Sequence, residues 1–214
     1  MAYWPGGIVL EFTEGFPSLQ LKRKNGSEHL HRSGQTLELT LLDFWQWFAS
    51  DLANNVLRGV LAEYIVAKAL GIETDVRRSW EPYDLTTPSG INIEVKSAAY
   101  LQSWYHKKYS TISFGIKRTK AYDPDTNTFA DEIKRQAHVY VFCLLKHKDK
   151  NTLDPLDLDQ WEFYILEASV LNEKYLARDS IGLTTLQKLN PCKAKYEEIA
   201  TCVEKITRSI EDAI

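Results

Sequence analysis

Nowhere in this sequence does an apolar run approach the ~20 residues that a bilayer core demands, so no membrane-spanning helix is expected. The opening MAYWPGGIVLEF has neither a basic region nor a long apolar stretch, and no signal peptide is expected. Cysteine is scarce: Cys143, Cys192 and Cys202 are an odd number, without zinc-ligand spacing and without a disulfide framework. Such usage fits a reducing, cytoplasmic setting. Excess positive charge is lacking too, since 26 Lys and Arg against 29 Asp and Glu leave a formal charge of -3. That excludes a generic coater of nucleic acid. It leaves room for an enzyme whose acidic centre is neutralised by a metal and whose positive charge is local. Repeats, low-complexity stretches and linkers are absent as well.

What is present suits one sizeable domain: 214 residues, 44% hydrophobic and 12% aromatic, enough for a full core. The most informative stretch runs WEPYDLTTPSGINIEVKSAAYLQ, from Trp80 to Gln102. Thr87-Pro88-Ser89-Gly90 has the residue preferences of a type I turn. Ile91 to Ser97 alternates apolar and polar, as a half-buried strand does. A three-residue loop, Pro88 to Gly90, pairs Thr87 with Ile91 and Leu85 with Ile93, and sets Asp84 opposite Glu94. Tyr83, Leu85, Ile91, Ile93 and Val95 then share one face, and Asp84, Thr86, Asn92, Glu94 and Lys96 the other. Facing carboxylates repel, and a hard divalent cation between them relieves the repulsion. The Val95 carbonyl is placed to be a third ligand, and Lys96 to orient or deprotonate a water or to stabilise a phosphate.

Asn55 to Leu70 reads as a helix, capped by Asn54 or Asn55 and ended at Gly71. Its period puts Val56, Val60, Ala67 and Leu70 on one stripe, with Glu63 in the middle and Arg58, Ile65, Lys68 and Ala69 towards the opposite side. An acid on a core-facing stripe needs an arginine, a backbone group or a metal. Beside the hairpin, Glu63 is expected as a third acid at the metal, bound directly or through water.

An inward Glu on a helix, then Asp, a turn and E-x-K resembles the PD-(D/E)XK superfamily of restriction-endonuclease-like nucleases, over about residues 55 to 146. The residues that carry the resemblance are Glu63, Asp84, Glu94 and Lys96, with Gln102 matching a glutamine found after the lysine in several branches. Tyr83 separates Pro82 from Asp84, so the literal Pro-Asp dipeptide is missing. The runs EVKSAAYLQSW, VYVFCLL and DLDQWEFYIL are similar to a bacterial branch. The resemblance implies an α/β fold with an αβββαβ core, a mixed sheet flanked by helices. It also implies a Mg2+ or Mn2+ cofactor, with Asp84, Glu94, Val95 and Glu63 at the metal and Lys96 and Gln102 beside them.

The remaining segments fill in around this core. LQLKRKNGSEHLHRSGQTLEL suggests a hairpin turning at Asn25-Gly26, and His29 and His31 on it are expected as surface histidines. TLLDFWQWFASDL reads as a helix with a Thr40 cap, whose aromatic stripe is expected to pack against the Asn55 helix. Ile72 to Arg78 should be a core strand, Thr111 to Ile116 a strand that extends or flanks the sheet and Phe129 to Gln136 a short helix. His138 to Lys146 should be a strand covered on both faces. Trp161 to Glu167 reads as a strand, Ser169 as a helix cap and Tyr196 to Glu211 as a terminal helix. From Val95 to Tyr122 the chain has no acid. Lys107, Lys108, Lys117, Arg118, Lys120 and Trp104 there suit a nucleic-acid backbone and unstacked bases.

The expected organisation is an N-terminal elaboration over 1–54, a nuclease-like core over 55–167 and a helical elaboration over 168–214. The expected activity is metal-dependent hydrolysis of DNA, by a homodimer if both strands are cut at one site. A non-cutting nucleic-acid-binding or assembly module on the same fold is the alternative.

Overall fold

The computed structural model describes residues 19–72, 76–77, 81–123 and 126–211. The strand expected at IVLEF and most of the one expected over Ile72 to Arg78 lie outside them.

The described chain opens with a hairpin, β1 (His29–Arg32) and β2 (Gln35–Thr40), followed by α1 (Leu41–Ala49). The hairpin turns at Ser33-Gly34, both at positive φ, and not at Asn25-Gly26. Gly26 has another task. Its carbonyl accepts from the Leu42 amide at 2.9 Å, and a Cβ there would meet the Trp45 ring at 3.1 Å. Thr40 caps α1 in a reciprocal box with Asp43. The aromatic stripe of α1 does not pack on the next helix: none of its residues is buried, and Trp47 is 83% exposed. His29 and His31 are exposed, as expected.

Then follow α2 (Asn55–Ala69), β3 (Leu85–Thr86), β4 (Asn92–Ala99), β5 (Ser113–Gly115), β6 (Thr119–Asp123), β7 (Thr128–Lys134) and β8 (Val139–Leu145). The chain continues with β9 (Trp161–Glu167), α3 (Ala168–Tyr175), β10 (Ser180–Gly182), α4 (Leu183–Gln187), β11 (Cys192–Ala194) and α5 (Ile199–Glu211). Five strands form one mixed sheet in the order β11-β9-β8-β4-β3, with β4 parallel to β8 and the other neighbours antiparallel. The fold is α/β, a mixed sheet flanked by helices, as expected. β8 lies at its centre because VYVFCLL offers no face to water, and all of its residues are buried.

Alternation along the strands splits the interior into two cores. Ile93, Val95, Val141, Cys143, Phe163 and Ile165 face α2 and α5. Ala98, Tyr140, Phe142, Tyr164 and Leu166 face Phe114 of β5, Leu171 of α3, Ile181 of β10 and Leu186 of α4. Each fully buried Val, Ile or Phe contributes about 1.5–3 kcal/mol. Cys192 and Cys202 form a disulfide that ties β11 to α5, against the expectation of none, and Cys143 remains a buried thiol. Folding, not spacing, brings those sulfurs together.

Two local expectations change. Phe129 to Gln136 is not a helix; most of it is β7, which among the described residues pairs with β6 in an exposed ribbon. Thr111 to Ile116 does supply a strand, β5, which pairs with β10 and flanks the main sheet. Glu167 takes the N-cap position of α3, so Ser169 falls inside the helix.

The phase of α2 also differs. Asn54 caps it, accepting from the Val56 and Leu57 amides at 2.9 and 3.0 Å. Its inward face is Leu57, Arg58, Ala62, Ile65, Val66 and Ala67, whereas Val56 is 70% exposed. The segment is apolar almost all round, so its period fixes the phase weakly. Burial of Arg58 with its own set of acceptors settles the rotation.

Candidate active site

The β3–β4 hairpin has the expected loop. The Thr87 amide donates to the Ile91 carbonyl at 2.9 Å, and the Gly90 amide to the Thr87 carbonyl at 2.9 Å. Gly90 sits at φ +85°, in the left-handed region that a side chain resists. The register pairs Leu85 with Ile93 and Thr86 with Asn92. Leu85, Ile91, Ile93 and Val95 accordingly enter the core beneath α2. Glu94 and Lys96 alternate to the other face, away from the helix and not under it. Tyr83 departs from the expected split and packs against the second core.

Asp84 lies one residue before β3, at the sheet edge. Its amide donates to the Ile93 carbonyl at 3.0 Å, and its Oδ2 accepts from the Val95 amide at 2.7 Å. The carboxylate thus takes the ladder position that a further strand residue would have filled. In a strand the N–H and C=O of one residue point to the same edge, so the Val95 carbonyl turns towards Asp84 as well. Lys96 Nζ bonds Glu94 Oε1. Burial pushes the Glu94 carboxyl above its usual range; Lys96 opposes this, and the charges of Asp84 and Glu63 add to it.

Glu63, from α2, comes to the same neighbourhood but is held by a cation. Arg77 grips it with both arms, Nε to Oε2 at 2.5 Å and Nη2 to Oε1 at 2.9 Å. From sequence Arg77 reads as a strand end or as a contact for DNA phosphates, and nothing short-range pairs it with Glu63. Among the described residues no group of three or more His, Cys, Asp or Glu side chains is gathered closely enough to hold a metal ion. The donor chemistry does fit a hard divalent cation. Carboxylates of Asp84 and Glu94 and the Val95 carbonyl are oxygen ligands, and the rise of Glu94 comes first from its burial.

Gln102 is elsewhere. It is buried, accepts from Arg58 Nη1 at 3.0 Å and donates to Ser110 Oγ at 3.2 Å and the Ala99 carbonyl at 3.4 Å. Its amide is spent on this network, not on Lys96. Arg58 also donates to Ser97 Oγ, the Ala53 carbonyl and Asn55 Oδ1, so one buried guanidinium joins α2 to the end of β4. Helical period puts Arg58 towards the outer side of α2, so short-range pattern carries no sign of this network.

The basic residues fall on two elements. Lys107, Lys108 and the half-exposed Trp104 ride on a loop closed by the Ser110 amide on the Tyr100 carbonyl. Lys117 and Arg118 precede β6, and Lys120 lies within it, at the foot of the exposed ribbon. Tyr140, hidden in the apolar run of β8, is the register partner of Glu94. Its hydroxyl is pushed up by burial and then by the Glu94 and Asp84 charges, so it stays a proton donor beside the acids.

Residues 16–185 match the family model described as bacteriophage T4 endonuclease IV. That span takes in Glu63, Asp84, Glu94, Lys96 and both basic segments. A comparison with curated proteins gives no match.

Proposed function

The chain belongs to the bacteriophage T4 endonuclease IV family, and from that membership we propose that it is a DNA endonuclease using Mg2+ or Mn2+ in a PD-(D/E)XK-type centre. One observation carries the reading. The Asp84 carboxylate is seated on the main chain of Val95, between the side chains of Glu94 and Lys96. A D…E-x-K sequence is common by chance; the bond from Asp84 to the Val95 main chain is what supports reading these residues as one site.

Asp84 and Glu94, with the Val95 carbonyl, would hold the divalent ion. When bound, the ion would lower the pKa of its water and stabilise charge on the phosphate. Asp84 is fixed for this because Oδ2 is anchored to an amide, and its carboxylate would be offered to the ion without further ordering. Lys96 exchanges its bond to Glu94 for one to the attacking water or to a phosphate oxygen. Tyr140 offers a neutral hydroxyl on the same face. Glu63 is available only if Arg77 releases it, so it supports the site through that ion pair.

The test is incubation of the purified protein with supercoiled, linear, single-stranded and branched DNA, with and without Mg2+ or Mn2+. Cleavage should require the ion, and Lys96→Ala should slow it by at least about 100-fold while still binding Mn2+. Full activity in that variant sinks the mechanism. DNA binding without ion-dependent cleavage by the wild type would favour the non-cutting alternative.

A further inference from the structure

A second polar site lies on the sheet face that carries Glu94 and Lys96. Ile116 is buried in the core on that face, and the next residues, Lys117 and Arg118, emerge from it at the foot of the β6–β7 ribbon. The loop after α3 meets them there. Lys117, Arg118, Ile133, Leu176, Arg178 and Asp179 line a cleft of about 150 Å³.

The cleft is built and not accidental. Arg135, 5% exposed, stands behind it and donates to the Ile116 carbonyl at 2.8 Å, to Asn172 Oδ1 at 2.7 Å and to the Tyr175 carbonyl at 2.8 Å. It reaches the Arg178 carbonyl as well. One buried guanidinium therefore fixes the strand that delivers Lys117 against the loop that delivers Arg178. The Arg178 guanidinium rests 4.9 Å from the Tyr175 ring centre, which limits its freedom.

The charge there is not neutralised. Among the described residues neither Lys117, Arg118 nor Arg178 has an ion-pair partner. Asp179 is the one acid among the described lining residues, so two positive charges remain among them. Desolvation and the nearby Arg118 charge both oppose the charge on buried Arg135, a like-charge arrangement that an anion would relieve. Ile133 and Leu176, both more than half exposed, form an apolar wall beside the cations. A cationic seat with an apolar wall matches a phosphate attached to a sugar.

We propose that Lys117, Arg118 and Arg178 form a seat for a backbone phosphodiester of the nucleic-acid substrate, distinct from the cleavage centre. This deepens the endonuclease reading and rests on it. The seat holds the strand while Asp84, Glu94 and Lys96 act on another phosphate. Arg118 and Arg178 are matched to a phosphate by their forked donors, and Lys117 adds a mobile charge.

The test is anisotropy of a fluorescein-labelled oligodeoxynucleotide titrated with full-length protein at several NaCl concentrations, in a Lys96→Ala background that prevents cleavage. Adding Arg118→Gln and Arg178→Gln should weaken binding about tenfold at low salt and reduce the salt slope by about 1. Lys205→Gln, an exposed cation on α5 at the opposite face, should change neither. With Lys96 restored, the double variant should raise KM while kcat stays within about twofold. Unchanged affinity and slope in the double variant, or an equal loss from Lys205→Gln, overturn the seat and leave the nuclease reading standing if the wild type still cuts. No binding and no cutting by any form overturns both.

Discussion

Asp84 Oδ2 and the Val95 amide lie 2.7 Å apart, and that hydrogen bond joins the first acid of the site to the main chain between the second acid and the lysine. The bond sets the position of the carboxylate without using its charge. Asp84→Asn keeps an acceptor for Val95 and should leave the fold intact, with Tm within about 2 °C, a change of under about 1 kcal/mol. The variant should cut DNA at least about 100-fold more slowly. It should also lose the rise in Tm that saturating Mn2+ gives the wild type, about 2.7 kcal/mol at 100 times Kd. Differential scanning fluorimetry with and without Mn2+ reads both.

Glu94 should trade stability for function. Burial and neighbouring acids raise its folded-state value above the ordinary 4.5. The folded protein therefore holds this proton more tightly than the unfolded chain does. The resulting stability is fully present below that ordinary value and is lost as pH rises through the raised one. Above the raised value the ionised group is a net cost, and Lys96, partly in water, tolerates losing it. Glu94→Gln should raise Tm at pH 7 to 8, with the gain fading towards pH 4, and should abolish cleavage. A Tm lowered equally at all pH values would refute the assignment.

Arg77 and Glu63 make a pair whose strength is limited by exposure, since the Arg77 side chain is 46% exposed. Arg77→Ala should cost no more than about 1 kcal/mol. Because it frees a carboxylate near Asp84 and Glu94, it should tighten Mn2+ binding, measured by titration calorimetry. Unchanged affinity would show that Glu63 serves the arginine alone.

Arg58 should be costly to remove. Truncation to Ala leaves buried Gln102 without its donor, frees the exposed Asn55 and opens a cavity. Urea unfolding should show a loss of about 2–4 kcal/mol. Gln102→Ala should cost less, about 1–2 kcal/mol. It should leave kcat within a few-fold, because Gln102 holds the end of β4 and does not touch Lys96.

Reduction should loosen the C-terminal helix. The Cys192–Cys202 bond spans 10 residues, and losing it should cost about 2–3 kcal/mol of stability. Native oxidised protein should resist alkylation, because its remaining thiol, Cys143, is buried. After unfolding without reductant, mass spectrometry should find one alkylated cysteine.

Local chemistry made much of this protein legible. Thr-Pro-Ser-Gly with alternating flanks is enough for the hairpin and its register. An unbroken apolar run is enough for a central strand, and Asn54 and Thr40 are enough for two helix starts. The D…E-x-K set on that hairpin followed from the same short-range rules. These features depend on residues within a few positions of one another, and steric and hydrogen-bonding preferences act at that range.

Where short-range preference was weak, tertiary contact decided. α2 is apolar almost all round, so the partners of Arg58 chose its phase. Phe129 to Gln136 became a strand because β6 was there to pair with it. Glu63 went to Arg77, 14 residues on, and Tyr140 came to stand beside Glu94 across 46 residues through a parallel register. Cys192 and Cys202, and the meeting of Arg118 with Arg178, depend equally on how distant elements pack. A sequence writes down which groups can bond; which of several distant candidates each group meets is fixed only when the sheet and its two cores close.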